Sequence, residues 1–236
     1  MIRLRQILCL TWLFSWGWLH AQGLREIEFS VYGQYPVRGV EYMPVKAEAV
    51  VEGIEVAPAV TIETHSLARM GPYTFKGGNQ ITFYETTSKE PVARVALPLT
   101  SNQWLLIFVN NPRYQDAPRT NLRYLIYPFN DSRKNFPENG LVFVNISGKE
   151  LDGLLKNKRV KLGAGASGSY RIQERIPMNL WARGVDGREF LPALIKTYHF
   201  KPDHRYLMIF FPPVLRGSVD LDVRLLSETT KSPPTL

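Results

Sequence analysis

Two apolar blocks, Gln103-Trp104-Leu105-Leu106-Ile107-Phe108 and Arg205-Tyr206-Leu207-Met208-Ile209-Phe210, match position by position at an offset of 102 residues, Trp104 to Tyr206. Their surroundings match as well. A hairpin around a glycine turn lies upstream of each. A proline-bearing loop and a last alternating segment follow, Leu122–Tyr127 in one case and Val219–Leu226 in the other. Even the openings correspond loosely, Ile27-Glu28-Phe29-Ser30-Val31 against Leu141-Val142-Phe143-Val144-Asn145. Buried strands share a small alphabet, which is the competing explanation for any such echo. The repeat predicts two similar units, residues 22–132 and 136–227, divided at the polar segment Asp131–Glu138 that carries Pro137.

The rest of the chain reads as strands and turns. Runs of β-branched and aromatic residues alternate with Gly, Pro, Asn and Asp at short spacing, and convincing helical periodicity is absent. Expected strands include Arg25–Tyr32, Val45–Glu52, Ala59–Thr64, Gln80–Glu85, Val92–Leu97, Arg159–Leu162, Ser169–Gln173, Met178–Arg183 and Glu189–Lys196. Lys76-Gly77-Gly78-Asn79 and Val185-Asp186-Gly187-Arg188 read as hairpin turns, and Asn139-Gly140 announces the strand Leu141–Ile146, because these residues tolerate positive φ. The expected class is all-β: two tandem Ig-like antiparallel β-sandwich units.

The N-terminus limits where such a fold operates. Arg3 and Arg5 precede the apolar run Ile7–Phe14, which continues through Trp16-Gly17-Trp18-Leu19 to the small residue Ala21. This is the layout of a secretory signal peptide, residues 1–21, and the run is short for a membrane-spanning helix. The sole cysteine, Cys9, leaves with it, so the mature chain must be held by its core rather than by disulfides. With 236 residues and 44% hydrophobic content, there is enough material for one large core or two small ones. Loss of Arg3 and Arg5 takes the formal charge from +8 to +6. The expected location is the periplasm or the extracellular space, with no membrane span in the mature chain. Export argues against nucleic acid as the partner of this basic surface. The polar, proline-ending tail, residues 228–236, is expected to be disordered.

Several stretches carry a resemblance: Tyr73-Thr74-Phe75-Lys76-Gly77-Gly78, the Trp104–Phe108 block, Phe136-Pro137-Glu138-Asn139-Gly140-Leu141-Val142-Phe143-Val144-Asn145-Ile146-Ser147, and the Arg205–Phe210 block. Together they span most of the mature chain. On them the chain resembles a family of exported β-sandwich proteins of Planctomycetes/Verrucomicrobia-type bacteria. It departs at Gly140-Leu141, where similar proteins have Ser or Thr after the glycine. The motifs are those of packing and turns, so the resemblance implies fold, bacterial origin and compartment, and no activity.

Each chemical motif meets a plainer explanation. Gly163-Ala164-Gly165-Ala166-Ser167-Gly168 satisfies the dinucleotide pattern G-x-G-x-x-G, but Ser169-Tyr170-Arg171-Ile172-Gln173-Glu174-Arg175-Ile176-Pro177 alternates where a helix must start. No cofactor is therefore expected. Ser167 lacks the second glycine of a nucleophile elbow, and nothing ties it to His65, His199 or His204. His199-Phe200-Lys201-Pro202-Asp203-His204 reads as a turn flanked by positive charge rather than a metal site. Asn130-Asp131-Ser132 and Asn145-Ile146-Ser147 are glycosylation sequons only in a eukaryotic source.

The remaining candidates are contact residues. Lys156-Asn157-Lys158-Arg159-Val160-Lys161 places charge on both faces of a strand, which suits a protected edge or a patch for lipopolysaccharide or acidic glycan. Trp181 lies near the expected Val185–Arg188 turn, where a ring can face solvent, whereas Trp104 begins an apolar strand and reads as core. Tyr198 and Phe200 share a strand face. The expectation is a non-catalytic exported protein that contacts another envelope protein, with Trp181, Tyr198, Lys158 and Arg159 as contact residues. A glycan-binding module around Trp181 is the alternative, and an extracytoplasmic hydrolase is the third.

Overall fold

The computed structural model describes residues 24–45, 57–118, 120–183, 189–215 and 218–230. The expected leader (1–21), most of the expected strand Val45–Glu52, the turn at Val185–Arg188 and residues 231–236 lie outside the described residues. The first half of the chain forms β1 (Arg25–Gly33), β2 (Val40–Tyr42), β3 (Val60–Ile62), β4 (Met70–Gly77), β5 (Gln80–Glu85), β6 (Pro91–Ala96), β7 (Gln103–Asn110) and β8 (Tyr124–Asn130). A short helix α1 (Pro112–Asp116) sits between the last two, capped by the Asn111 side chain. The second half forms β9 (Gly140–Asn145), β10 (Leu151–Leu155), β11 (Lys158–Leu162), β12 (Gly165–Ala166), β13 (Tyr170–Arg171), β14 (Arg175–Arg183), β15 (Phe190–His199), β16 (His204–Phe211) and β17 (Asp222–Thr229).

The fold is an all-β sandwich built from four sheets. Their orders are β4-β1-β7-β8 and β3-β2-β5-β6 in the first half, and β12-β9-β16-β17 and β11-β10-β14-β15 in the second, with β13 also pairing β9. The two halves repeat one sheet plan, with the two short strands β12 and β13 taking the place beside β9 that β4 takes beside β1. The repeated apolar blocks are β7 and β16, and each pairs in parallel with the opening strand of its own half, β1 or β9. Phe29 stands opposite Trp104, and Leu141 opposite Tyr206. The openings therefore correspond two residues out of step with the sequence pairing of Ile27 with Leu141. Because the slip is even, each side chain keeps its face. β1 has β4 and β7 as neighbours, and β9 has β16 on one side and β12 with β13 on the other, whereas an immunoglobulin sheet sets the first strand beside the second.

Three hydrophobic cores fill the spaces between four layers. The first joins the two sheets of the first half, with Phe29, Tyr42, Phe83, Trp104, Leu106 and Phe108 among its members. The second joins the two sheets of the second half around Phe143, Met178, Leu180, Met208 and Phe210. The third lies between the halves: Leu105, Ile107 and Val109 of β7 meet Leu207, Ile209 and Phe211 of β16, with Tyr32, Val142 and Val144. A strand sends alternate side chains to opposite faces. A strand between two cores must therefore be apolar at every position, which is why β7 and β16 show unbroken apolar runs.

Charge closes the joint. Arg69 pairs with both Asp131 and Glu228, and Arg205 Nη2 lies 2.6 Å from Glu228 and 3.8 Å from Asp131. The Arg205 guanidinium also covers the Phe136 ring at 4.4 Å. Two cations and two carboxylates thus alternate across the seam, none of them more than 26% exposed to water. Here the start of the expected tail, residue 228, is corrected, while residues 231–236 lie outside the described residues. β17 runs through Thr229, because Leu226 is buried in the third core and Glu228 is held by two arginines.

Other differences are local. The expected strand Ser169–Gln173 shrinks to β13, Tyr170–Arg171. Four strands, β2, β4, β10 and β12, are not expected from the pattern; β2 and β12 are only three and two residues long, and β4 and β10 contain glycines that mask alternation. Gly153 in β10 is required by close approach: a Cβ there would lie 2.0 Å from the Asn179 carbonyl oxygen.

Candidate binding site on the second sandwich

The outer face of sheet β11-β10-β14-β15 carries the most distinctive surface chemistry among the described residues. Residues opposite one another in neighbouring strands point the same way, so register identifies this face. Asp152 stands beside Trp181, Trp181 beside Pro192, Leu154 beside both Arg159 and Asn179, and Asn179 beside Ile195. The opposite face, with Leu151, Leu155, Met178, Leu180 and Ala182, belongs to the second core.

A cavity of about 450 Å³ opens on this outer face, lined by Asp152, Gly153, Leu154, Arg159, Trp181 and Phe190. Trp181 is half-buried, while Phe190 is 49% and Leu154 37% exposed. The two-residue turn after β10 returns Arg159 past Asp152, and the guanidinium grips the carboxylate bidentately, Nε to Oδ1 at 3.1 Å and Nη2 to Oδ2 at 2.8 Å. Those hydrogen bonds and the adjoining positive charge hold the Asp152 carboxyl below the ordinary carboxylate range. At the far end Arg183 lies over the Phe190 ring at 5.0 Å. Ile195, 65% exposed, extends the apolar surface along β15. The arrangement offers an aromatic and aliphatic floor beside a pre-oriented guanidinium–carboxylate pair. Chemically it can bind and orient a ligand.

The four residues singled out from sequence are not gathered in one place. Trp181 and Arg159 share the cavity just described. Lys158 lies on the rim of a second cavity, with its ammonium 5.9 Å from the Tyr170 ring centre. Tyr198 stacks on buried Phe200 at 6.2 Å and packs against the second core, where burial raises its hydroxyl pKa. Trp104 is core, as expected, with its indole donating to the Ser101 carbonyl at 2.9 Å. Asp152, Leu154 and Phe190 were missed. The usable signal was the turn Lys156-Asn157: folding the chain there sets Leu154 opposite Arg159 and brings Asp152 within that side chain's reach.

The chemical motifs occupy structural positions. The G-x-G-x-x-G loop contributes β12, whose Gly165 and Ala166 pair with Asn145 and Val144. Ser167 accepts the Phe143 N–H at 3.0 Å and donates to the Gly168 carbonyl at 2.7 Å. His65 accepts the Leu67 N–H at 3.0 Å, and His204 sits 2.9 Å from the Pro202 carbonyl, each closing a local turn. Asn145 of the second sequon is buried, and its side chain donates to the carbonyls of Lys149 and Leu162. Among the described residues no group of three His, Cys, Asp or Glu is placed to hold a metal, and no helix is long and apolar enough to cross a membrane. Compared with known proteins, the chain matches no family model and no curated sequence.

Proposed function

We propose that this chain is an exported, non-catalytic protein of a bacterial envelope that binds another envelope protein through the outer face of β10, β14 and β15. The observation that carries the reading is the Trp181–Phe190–Leu154 surface beside Arg159. Tryptophan, aromatic and arginine side chains around a partly desolvated pocket are the composition of an interface hot spot. The sheet around it favours face recognition over strand addition. Lys158, Arg159 and Lys161 charge one edge strand, and Pro192 and Lys196 interrupt the other.

A photo-crosslinker in place of Phe190, in the cells that produce the protein, is expected to trap one stoichiometric partner. With that partner purified, Trp181→Ala should weaken binding about 30-fold, the effect of a hot-spot side chain worth about 2 kcal/mol. Its thermal stability should be nearly unchanged. Absence of a specific crosslink, or an affinity indifferent to both Trp181→Ala and Phe190→Ala, would overturn the reading.

A second reading has its own support. A sugar ring stacks its C–H face on an aromatic side chain and hydrogen-bonds its hydroxyls to charged groups, and Trp181 lies beside the Arg159–Asp152 pair. Saturable binding of a neutral polysaccharide that is lost in Trp181→Ala, with no protein partner trapped, selects this alternative.

A further inference from the structure

We infer that the second cavity, at the open end of the sandwich formed by the chain's second half, is a binding site for an anionic saccharide bearing carboxylate or sulfate groups. It is separate from the Trp181 face. Leu154 points out toward that face, whereas its neighbour Leu155 points in toward this cavity's floor. The volume is about 550 Å³, within the range that holds small ligands.

Three cations meet on its walls from three elements: Lys156 from the turn after β10, Lys158 from β11 and Arg171 from β13. No carboxylate lines the cavity, and none of the three forms an ion pair with a described residue. Carboxylates do hold Arg69, Arg123, Arg159, Arg205 and Arg224, and what sets these three apart from the other unpaired cations is that they line one cavity. Three unneutralised cations around a concavity raise the local potential and draw in an anion.

The remaining lining shapes that anion. Gln173 and Asn157 supply amides suited to hydroxyl groups, and Tyr170 with the core residues Leu155 and Ile176 supplies an apolar wall. A carbohydrate ring with charged substituents offers all three complements, whereas a bare phosphate uses only the cations. Lys156 adopts φ +55, a conformation that glycine or asparagine takes at lower cost. The two-residue turn between β10 and β11 imposes that geometry, and it sets the Lys156 ammonium at the cavity rim, 3.1 Å from Gln173 Oε1.

The test uses isothermal titration calorimetry on the purified protein with alginate oligosaccharides, sulfated dextran oligomers, neutral dextran oligomers of equal length, inorganic phosphate and an oligoglutamate peptide. One or both anionic saccharides are expected to bind saturably, with affinity falling as salt is raised, and the neutral oligomer is expected not to bind. Lys156→Gly is the decisive variant. It relieves the backbone, so its melting temperature stays level or rises, while affinity falls roughly tenfold, as expected for one lost charge-assisted hydrogen bond. Lys158→Gln and Arg171→Gln should act in the same direction, and Trp181→Ala should leave this binding untouched. Equal binding of oligoglutamate or phosphate, or anionic saccharide binding unaffected by Lys156→Gly and Arg171→Gln, would overturn the assignment. So would failure of both anionic saccharides to bind.

Discussion

Leu207 and Met208 are neighbours on β16 and point into different cores, Leu207 toward the first half of the chain and Met208 toward its own outer sheet. Both are essentially inaccessible to water, at 1% and 0% exposure. If the second half were a free-standing sandwich, Leu207 would face solvent and its truncation would change stability by no more than about 0.5 kcal/mol. In the four-layer arrangement Leu207→Ala removes a buried side chain between two packed sheets and leaves a cavity, at a cost of about 2–5 kcal/mol. Met208→Ala should cost about the same, 2–5 kcal/mol. For a protein of this size each kcal/mol lowers the melting temperature by about 2–4 °C, so each variant should melt roughly 4–20 °C early. The assay is equilibrium unfolding in urea, followed by circular dichroism and by tryptophan fluorescence. Both variants should shift the midpoint, and the two signals should move together, because the third core couples the halves. A Leu207→Ala protein with a parental midpoint beside a strongly weakened Met208→Ala protein would refute the shared core. So would two separate transitions in the parent.

Two further outcomes follow from the joint and the candidate face. Burial pushes the Glu228 carboxyl up, but Arg69 and Arg205 outweigh it and hold the folded-state pKa below the ordinary value. A depressed carboxyl contributes stability that is present above its unfolded pKa and is lost as pH falls through the folded pKa. Urea midpoints should therefore decline on acidification below that unfolded value, and Glu228→Gln should flatten this decline while weakening the protein at pH 7; an unchanged acid limb would disprove the coupling. Gly153→Ala should destabilise toward the upper end of about 1–3 kcal/mol, because its Cβ meets the backbone of β14 rather than a movable side chain; a parental melting temperature would contradict the close approach of β10 and β14.

The sequence was most legible where chemistry is local. Asn139, at φ +52, precedes β9, where a residue that accepts that geometry is wanted, and the chain turns between β4 and β5 at Gly78-Asn79, although no residue of Lys76-Gly77-Gly78-Asn79 takes the positive φ expected there. The repeated blocks were legible as equivalent strands because one environment selected one composition twice. The face chemistry was less so. Trp181 and Arg159 stood out singly, but their shared cavity depends on β10, whose Leu-Asp-Gly-Leu-Leu pattern is blurred by Gly153. Tyr198 looked like a platform because it shares a face with Phe200, yet that face turns toward the second core.

Alternation, turn residues and two matching apolar blocks by themselves determined an all-β chain with a repeated plan. What they could not specify is what lies against each face. An unbroken apolar run shows that both sides of β7 and β16 leave water, but period-two geometry is blind to the identity of the covering surface. Only the tertiary structure assigned Leu105, Ile107 and Val109 to Leu207, Ile209 and Phe211 across the joint. It also left three cations without counter-ions at the open end of the second sandwich, because contacts between distant segments are set by packing and not by local preference.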